Sequence, residues 1–248
     1  MSLRPDVIQA LNQLKLTKPT AIQALAIPEI VQGRNVLMAA ETGTGKTLAY
    51  LAPIVSRMRM EEQEWRYERQ PNRPRALILT PSKELAGQVM QVAKSLSHMA
   101  KFRVEAALDR QPHCKGHFEG LIDMVVGTPS KLWQYKDQER LMLSQVNYVV
   151  VDEADTMLEK DFGEQVRELL DSLRTRQHRL NPLQVVFSSA TIPKSLNAFV
   201  DREFPVGSVF DLTKVFMGVE RYSQNSHPKT ALHQPCTQTE VYSFGRPW

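Results

Sequence analysis

Along the chain, short apolar runs with little internal alternation recur between stretches of helical spacing. Residues 36–40, 76–80, 124–126, 146–151 and 184–188 are mostly unalternated, the pattern of strands covered on both faces. Residues 48–58, 83–96 and 162–173 carry apolar positions at helical intervals. Val7, Ile8, Leu11 and Leu14 form a further stripe, which predicts an amphipathic helix laid outside the sheet. Strand and helix in alternation imply right-handed crossovers and a mainly parallel α/β sheet flanked by helices on both faces. Two stretches depart from this pattern. Residues 57–75, crowded with Arg, Glu, Gln and Pro, predict an exposed connection. From about Leu212 to Trp248 no period is sustained, which predicts a linker or partly disordered tail after a globular unit spanning 1–211.

Composition narrows the class. The 248 residues are 42% hydrophobic and 23% charged, which excludes a disordered or fibrous chain. The formal charge of +4, from 31 Lys and Arg against 27 Asp and Glu, permits a polyanionic partner without requiring one. No run approaches the roughly 18 apolar residues of a membrane span, and residues 1–11 lack a signal-peptide core, so no membrane association is expected. Two cysteines, Cys114 and Cys236, are too few for a disulfide framework and imply an intracellular setting.

Candidate chemistry begins where the first of these strands ends. Ala40-Glu41-Thr42-Gly43-Thr44-Gly45-Lys46-Thr47 leads from a strand into a helix. A Gly-rich turn lets backbone N–H groups converge on phosphate oxygens, and the helix N-terminus adds partial positive charge. Lys46 then reaches the β and γ phosphates, and the Thr47 hydroxyl is offered to Mg²⁺. The strict P-loop has Gly where Ala40 stands; Gly43 partly offsets the change. Asp152-Glu153-Ala154-Asp155 emerges at the carboxyl end of the apolar run 146–151, the edge where open α/β sheets bind ligands. A carboxylate at Asp152 can hold Mg²⁺, and Glu153 can orient or deprotonate an attacking water. Taken alone, acidic residues here would simply begin a helix; the upstream turn favours the catalytic reading.

The P-loop, Asp152-Glu153-Ala154-Asp155 and Ser189-Ala190-Thr191, in that order, resemble the DEAD-box RNA helicases over about residues 1–211. The resemblance implies the first RecA-like P-loop domain of that family, an RNA-stimulated ATPase. Lys18-Pro19-Thr20-Ala21-Ile22-Gln23 is similar to the Q motif, whose Gln reads the adenine edge of ATP; an amide can both donate to and accept from adenine. Thr20 and Gln23 also have the spacing of a helix capping box, and the two roles are compatible. The isolated aromatic that usually precedes the Q motif has no counterpart here.

Pro81-Ser82-Lys83-Glu84-Leu85-Ala86 and Gly127 with Thr128-Pro129-Ser130-Lys131 resemble two RNA-contacting motifs of the family. Lys83 and Lys131 stand in place of Arg, keeping the charge but not the planar fork. Around Leu108-Asp109-Arg110-Gln111 the family has a Gly pair that is absent here. Asp155, Ser189 and Thr191 are implied to couple the ATP state to the RNA state. The resemblance thus implies ATP and Mg²⁺ as cofactors, RNA held by sequence-independent backbone contacts, and no oligomer. The family's second RecA-like domain, source of the arginine finger, is missing before Trp248, which implies slow hydrolysis by this chain alone. A non-catalytic nucleotide- or RNA-binding regulatory module is the alternative. A P-loop ATPase acting on DNA or small molecules would leave Gln23, Lys83, Thr128 and Thr191 without a shared explanation.

Overall fold

The computed structural model describes residues 3–64, 68–107, 120–159, 162–175 and 182–212. These residues form a sheet of seven strands: β1 (Asn35–Ala39), β2 (Ala76–Leu79), β3 (Val104–Ala107), β4 (Met124–Gly127), β5 (Tyr148–Asp152), β6 (Gln184–Ser189) and β7 (Val209–Asp211). Their spatial order is β3-β4-β2-β5-β6-β1-β7, and every ladder is parallel.

Side chains alternate across a strand, and here both faces are covered. Val36, Met38, Ile78, Val150 and Val186 pack with α1 (Pro5–Gln13), α2 (Ala21–Val31), α3 (Lys46–Glu64) and α4 (Lys83–Ala100). Leu37, Leu77, Val149, Val151 and Phe187 pack with α5 (Pro129–Asp137), α6 (Ala154–Glu159), α7 (Phe162–Arg174) and α8 (Lys194–Glu203). Two covered faces explain why the strands are apolar without alternation, and the expected α/β architecture holds. The strands β3 and β7 did not stand out in the sequence: both are short sheet edges, and Glu105 and Asp211 interrupt their apolar runs.

The stretch 57–75 corrects one expectation. Its first part is not a connection: α3 continues to Glu64, burying Met58 and Glu61, whereas Glu68, Gln70 and Pro71 are exposed outside helix and strand as expected. Farther on, Arg75 is only 1% exposed. Its guanidinium donates to the Met58 carbonyl at 2.7 Å and to Asp123 at 2.8 Å, and it also pairs with Glu62. The Arg and Glu residues that read as solvent-seeking one at a time neutralise each other across the fold.

Leu212 is buried in the first of the two cores. The proposed tail beyond it, Leu108 to Gln111, Cys114 and Cys236 lie outside the described residues. Among the described residues no helix is long and apolar enough to cross a membrane.

Candidate nucleotide and RNA site

Because the strands are parallel, the segments that follow β1, β2, β4, β5 and β6 all leave the same sheet edge, where crevices in such folds bind ligands. The turn after β1 holds Gly43 at φ +81° and Gly45 at φ +90°, a region that a residue with a Cβ adopts only with strain. The Thr44 hydroxyl donates to the Glu41 carbonyl at 2.7 Å, while Thr42 stays exposed. Lys46 opens α3, and its ammonium donates back to the Ala40 carbonyl and, at 2.9 Å, to that of Glu41. Burial lowers the pKa of this ammonium, and the negative charges of Asp152, Asp155 and Glu153 oppose the shift.

Gln23 braces the turn from α2. Buried at 4% exposure, it accepts the Thr20 amide at 2.9 Å and donates to the Gly45 carbonyl at 3.0 Å. The helix cap is therefore formed, and the same side chain reaches the phosphate turn, a link with no local signature in the sequence.

At the end of β5, the two carboxylate oxygens of Asp152 accept from different donors: Oδ2 from the Tyr50 hydroxyl at 2.8 Å, Oδ1 from the Glu153 amide at 3.1 Å. Glu153 itself sits at φ +48°, left-handed backbone that non-Gly residues occupy rarely and often at functional sites. Asp155 faces β6. Its carboxylate accepts the Thr191 amide and hydroxyl, each at 2.9 Å, and its own amide donates to Ser189 Oγ at 3.1 Å. Burial pushes the Asp155 carboxyl up, but the bonds from Thr191, Thr156 and Ser189 outweigh it and hold the group below the usual aspartate range. The structure thus brings Asp155, Ser189 and Thr191 into direct contact.

The two RNA-like segments are neighbours because Leu79 and Gly127 are in register on β2 and β4, and the Thr80 amide donates to the Gly127 carbonyl at 3.0 Å. Pro81 leads into α4, which Ser82 caps by accepting the Leu85 amide at 3.3 Å; Thr128 caps α5 by accepting the Lys131 amide at 3.4 Å. Lys83 is exposed. Lys131 lies along α5, its ammonium 2.7 Å from Gln134 Oε1 and 5.8 Å from the Tyr135 ring centroid. Ser130 donates to Gln165 on α7 at 2.7 Å.

Tyr50 is the residue that sequence reasoning missed. A lone aromatic four positions after Lys46, hence on the same helix face, was the available signal.

A family model of the DEAD/DEAH box helicases matches residues 20–199. The chain is 38% identical over 209 residues to DEAD-box ATP-dependent RNA helicase 39 of Arabidopsis thaliana, covering 82% of this chain and 34% of that one. To ATP-dependent RNA helicase RhlB of Pectobacterium atrosepticum it is 38% identical over 184 residues, covering 73% and 42%. The chain therefore spans between 34% and 42% of these relatives' lengths. Among solved structures, the yeast DEAD-box splicing factor Prp28 superposes with a TM-score of 0.70 at 26% identity, covering 82% of this chain and 48% of that one. A hypothetical ATP-dependent RNA helicase from Sulfolobus tokodaii gives 0.68 at 25% identity, covering 84% and 57%. With a RecA-like sheet and the family's motifs ranged along its carboxyl edge, the chain belongs to the DEAD/DEAH box helicases.

Proposed function

We propose that this chain is the ATP- and RNA-binding RecA-like unit of an ATP-dependent RNA helicase, which couples nucleotide binding and hydrolysis to local duplex separation together with a second such unit. The observation that carries this reading is the convergence of Lys46, the Asp152–Glu153 pair and the Asp155–Thr191 clasp at one sheet edge. Lys46 would exchange its bonds to the Ala40 and Glu41 carbonyls for phosphate oxygens. Thr42, Gly43, Thr44 and Gly45 would present backbone amides to the phosphates. Gln23 has spent one N–H and one lone pair on Gly45 and Thr20; the other pair suits the edge of adenine.

Thr47 and Asp152 fit magnesium: both offer only oxygen, and Tyr50, three residues after Thr47 on α3, donates its hydroxyl to Asp152 and so ties that helix to the carboxylate. Magnesium bound there would neutralise charge on the β and γ phosphates. Glu153 is placed next to Asp152 to orient or deprotonate the attacking water. The Asp155 clasp on Ser189 and Thr191 gives β5 and β6 a shared contact through which a change at the phosphates can reach the RNA edge.

Titration calorimetry tests the nucleotide site. MgATP should bind in preference to MgGTP, and Lys46→Ala should keep its fold but lose affinity. A hydrogen bond to a charged group is worth about 1.5–3 kcal/mol, so the loss should be on the order of 10- to 100-fold. Undiminished affinity in folded Lys46→Ala would remove the phosphate cradle from this reading.

For RNA, the contacts on offer are hydroxyls, lysines and helix N-termini, which hold phosphates and sugars rather than base edges. Single-stranded RNA should bind weakly and without sequence preference. Each phosphate contact adds about −0.7 to the log–log salt slope, so Lys83→Ala with Lys131→Ala should reduce its magnitude by about 1.4 while ATP binding stays the same. An unchanged affinity and slope would place the RNA path elsewhere.

A further inference from the structure

Tyr50 has no part in the chemistry above, yet its hydroxyl bonds the carboxylate proposed to hold magnesium. The side chain is completely buried, so water cannot take over its contacts. Its hydroxyl donates to Asp152 Oδ2 at 2.8 Å across 102 residues of chain, tying α3, which Lys46 and Thr47 open, to the end of β5. One phenol thus holds the carboxylate whose oxygens suit magnesium, from the same helix that carries Thr47. The second Asp152 oxygen is held by the Glu153 amide at 3.1 Å, so the carboxylate is fixed at both ends and still has a lone pair on each oxygen facing other partners.

We propose that the Tyr50 hydroxyl is a positioning group for the magnesium site, holding the Asp152 carboxylate in place and thereby setting magnesium affinity in the nucleotide-bound protein. The proposal rests on the ATP and magnesium reading given above. Its physical basis is general: groups that orient a metal's ligands typically contribute 10- to 100-fold to metal affinity. Phenylalanine fills nearly the same volume but cannot donate. Asp152 Oδ2 then loses its donor, and the carboxylate is free to turn from the orientation fixed by Tyr50 and the Glu153 amide.

The test compares wild type with Tyr50→Phe, using a fluorescent ADP analogue titrated in EDTA, then Mg²⁺ titrated at fixed nucleotide. The Mg²⁺ midpoint should rise on the order of 10-fold, with affinity in EDTA unchanged. In an Asp152→Ala background the same substitution should shift the midpoint less than about twofold, because the carboxylate it would hold is gone. An unchanged midpoint in folded Tyr50→Phe overturns the proposal and leaves the nucleotide site standing. An equal loss with and without Mg²⁺ marks a purely structural residue and also overturns it. Wild-type protein that binds the analogue without any response to Mg²⁺ overturns the underlying reading instead. Should Tyr50→Phe fail to fold, wild type labelled with 3-fluorotyrosine and loaded with ADP supplies the readout. The Tyr50 fluorine resonance, assigned by substituting the other tyrosines, should move when Mg²⁺ is added; a stationary resonance overturns the proposal.

Discussion

Gly45→Ala is expected to weaken MgATP binding by about two orders of magnitude while the sheet remains folded. At φ +90° an alanine is strained by roughly 1–2 kcal/mol. Its Cβ would also stand 2.5 Å from Gln23 Nε2 and 3.3 Å from Gln23 Cδ. Gln23 is buried and tied at both ends, so it can retreat only by giving up its bonds to Thr20 and Gly45, each worth about 0.5–1.5 kcal/mol. The sum, about 3 kcal/mol, corresponds to roughly 100-fold if the turn abandons its phosphate-binding shape, and remains below a domain's usual stability of about 5–15 kcal/mol. Gly43 is the internal control. It shares the positive φ, but a Cβ there meets nothing within 4 Å, so Gly43→Ala should cost only the backbone strain, on the order of 10-fold. Calorimetry on both variants decides: equal losses would show that backbone strain alone matters and that Gln23 does not brace the turn.

The largest effect on stability is expected at the opposite edge of the sheet. Asp123→Ala should destabilise the protein by about 3–5 kcal/mol, because it removes one of the two carboxylates on the buried Arg75 guanidinium and also leaves Arg69 and the Arg103 amide without their shared acceptor. Asp123 and Arg75 are each 1% exposed. Besides the 2.8 Å bond from Arg75, Asp123 accepts the Arg103 amide at 2.8 Å and lies 3.2 Å from the Arg69 guanidinium. Glu62 joins the network through Arg59, Arg69 and Arg75. The cluster ties the end of α3 to the starts of β2 and β4, so its loss loosens one end of the frame that holds the site. Urea unfolding with an unchanged m-value should report the deficit. Being buried, the network is little screened, so the deficit should persist in high salt. A loss under about 1 kcal/mol would mean that Glu62 alone satisfies Arg75.

The alternation of strands and helices, the Gly-rich turn at 40–47 and the acidic pair at the end of β5 could all be read along the chain. Each depends on neighbours within a few residues: a period, a turn that only glycine tolerates, a strand that becomes a helix. The boundaries of the inner strands agreed to within two residues for the same reason. What could not be read was every contact closed over long separations. Residues 57–75 looked solvent-exposed because charge is a local property, whereas the partner that buries Arg75 is 48 positions away in Asp123. Gln23 was legible as a helix cap three residues from Thr20, but its bond to Gly45 spans 22 residues. The Tyr50 hydroxyl meets Asp152 across 102 residues, and Asp155 meets Thr191 across 36. Local propensity selects which elements form and where phosphate chemistry can sit; the parallel order of the strands alone decides which distant carboxylates, hydroxyls and amides share the edge beside it.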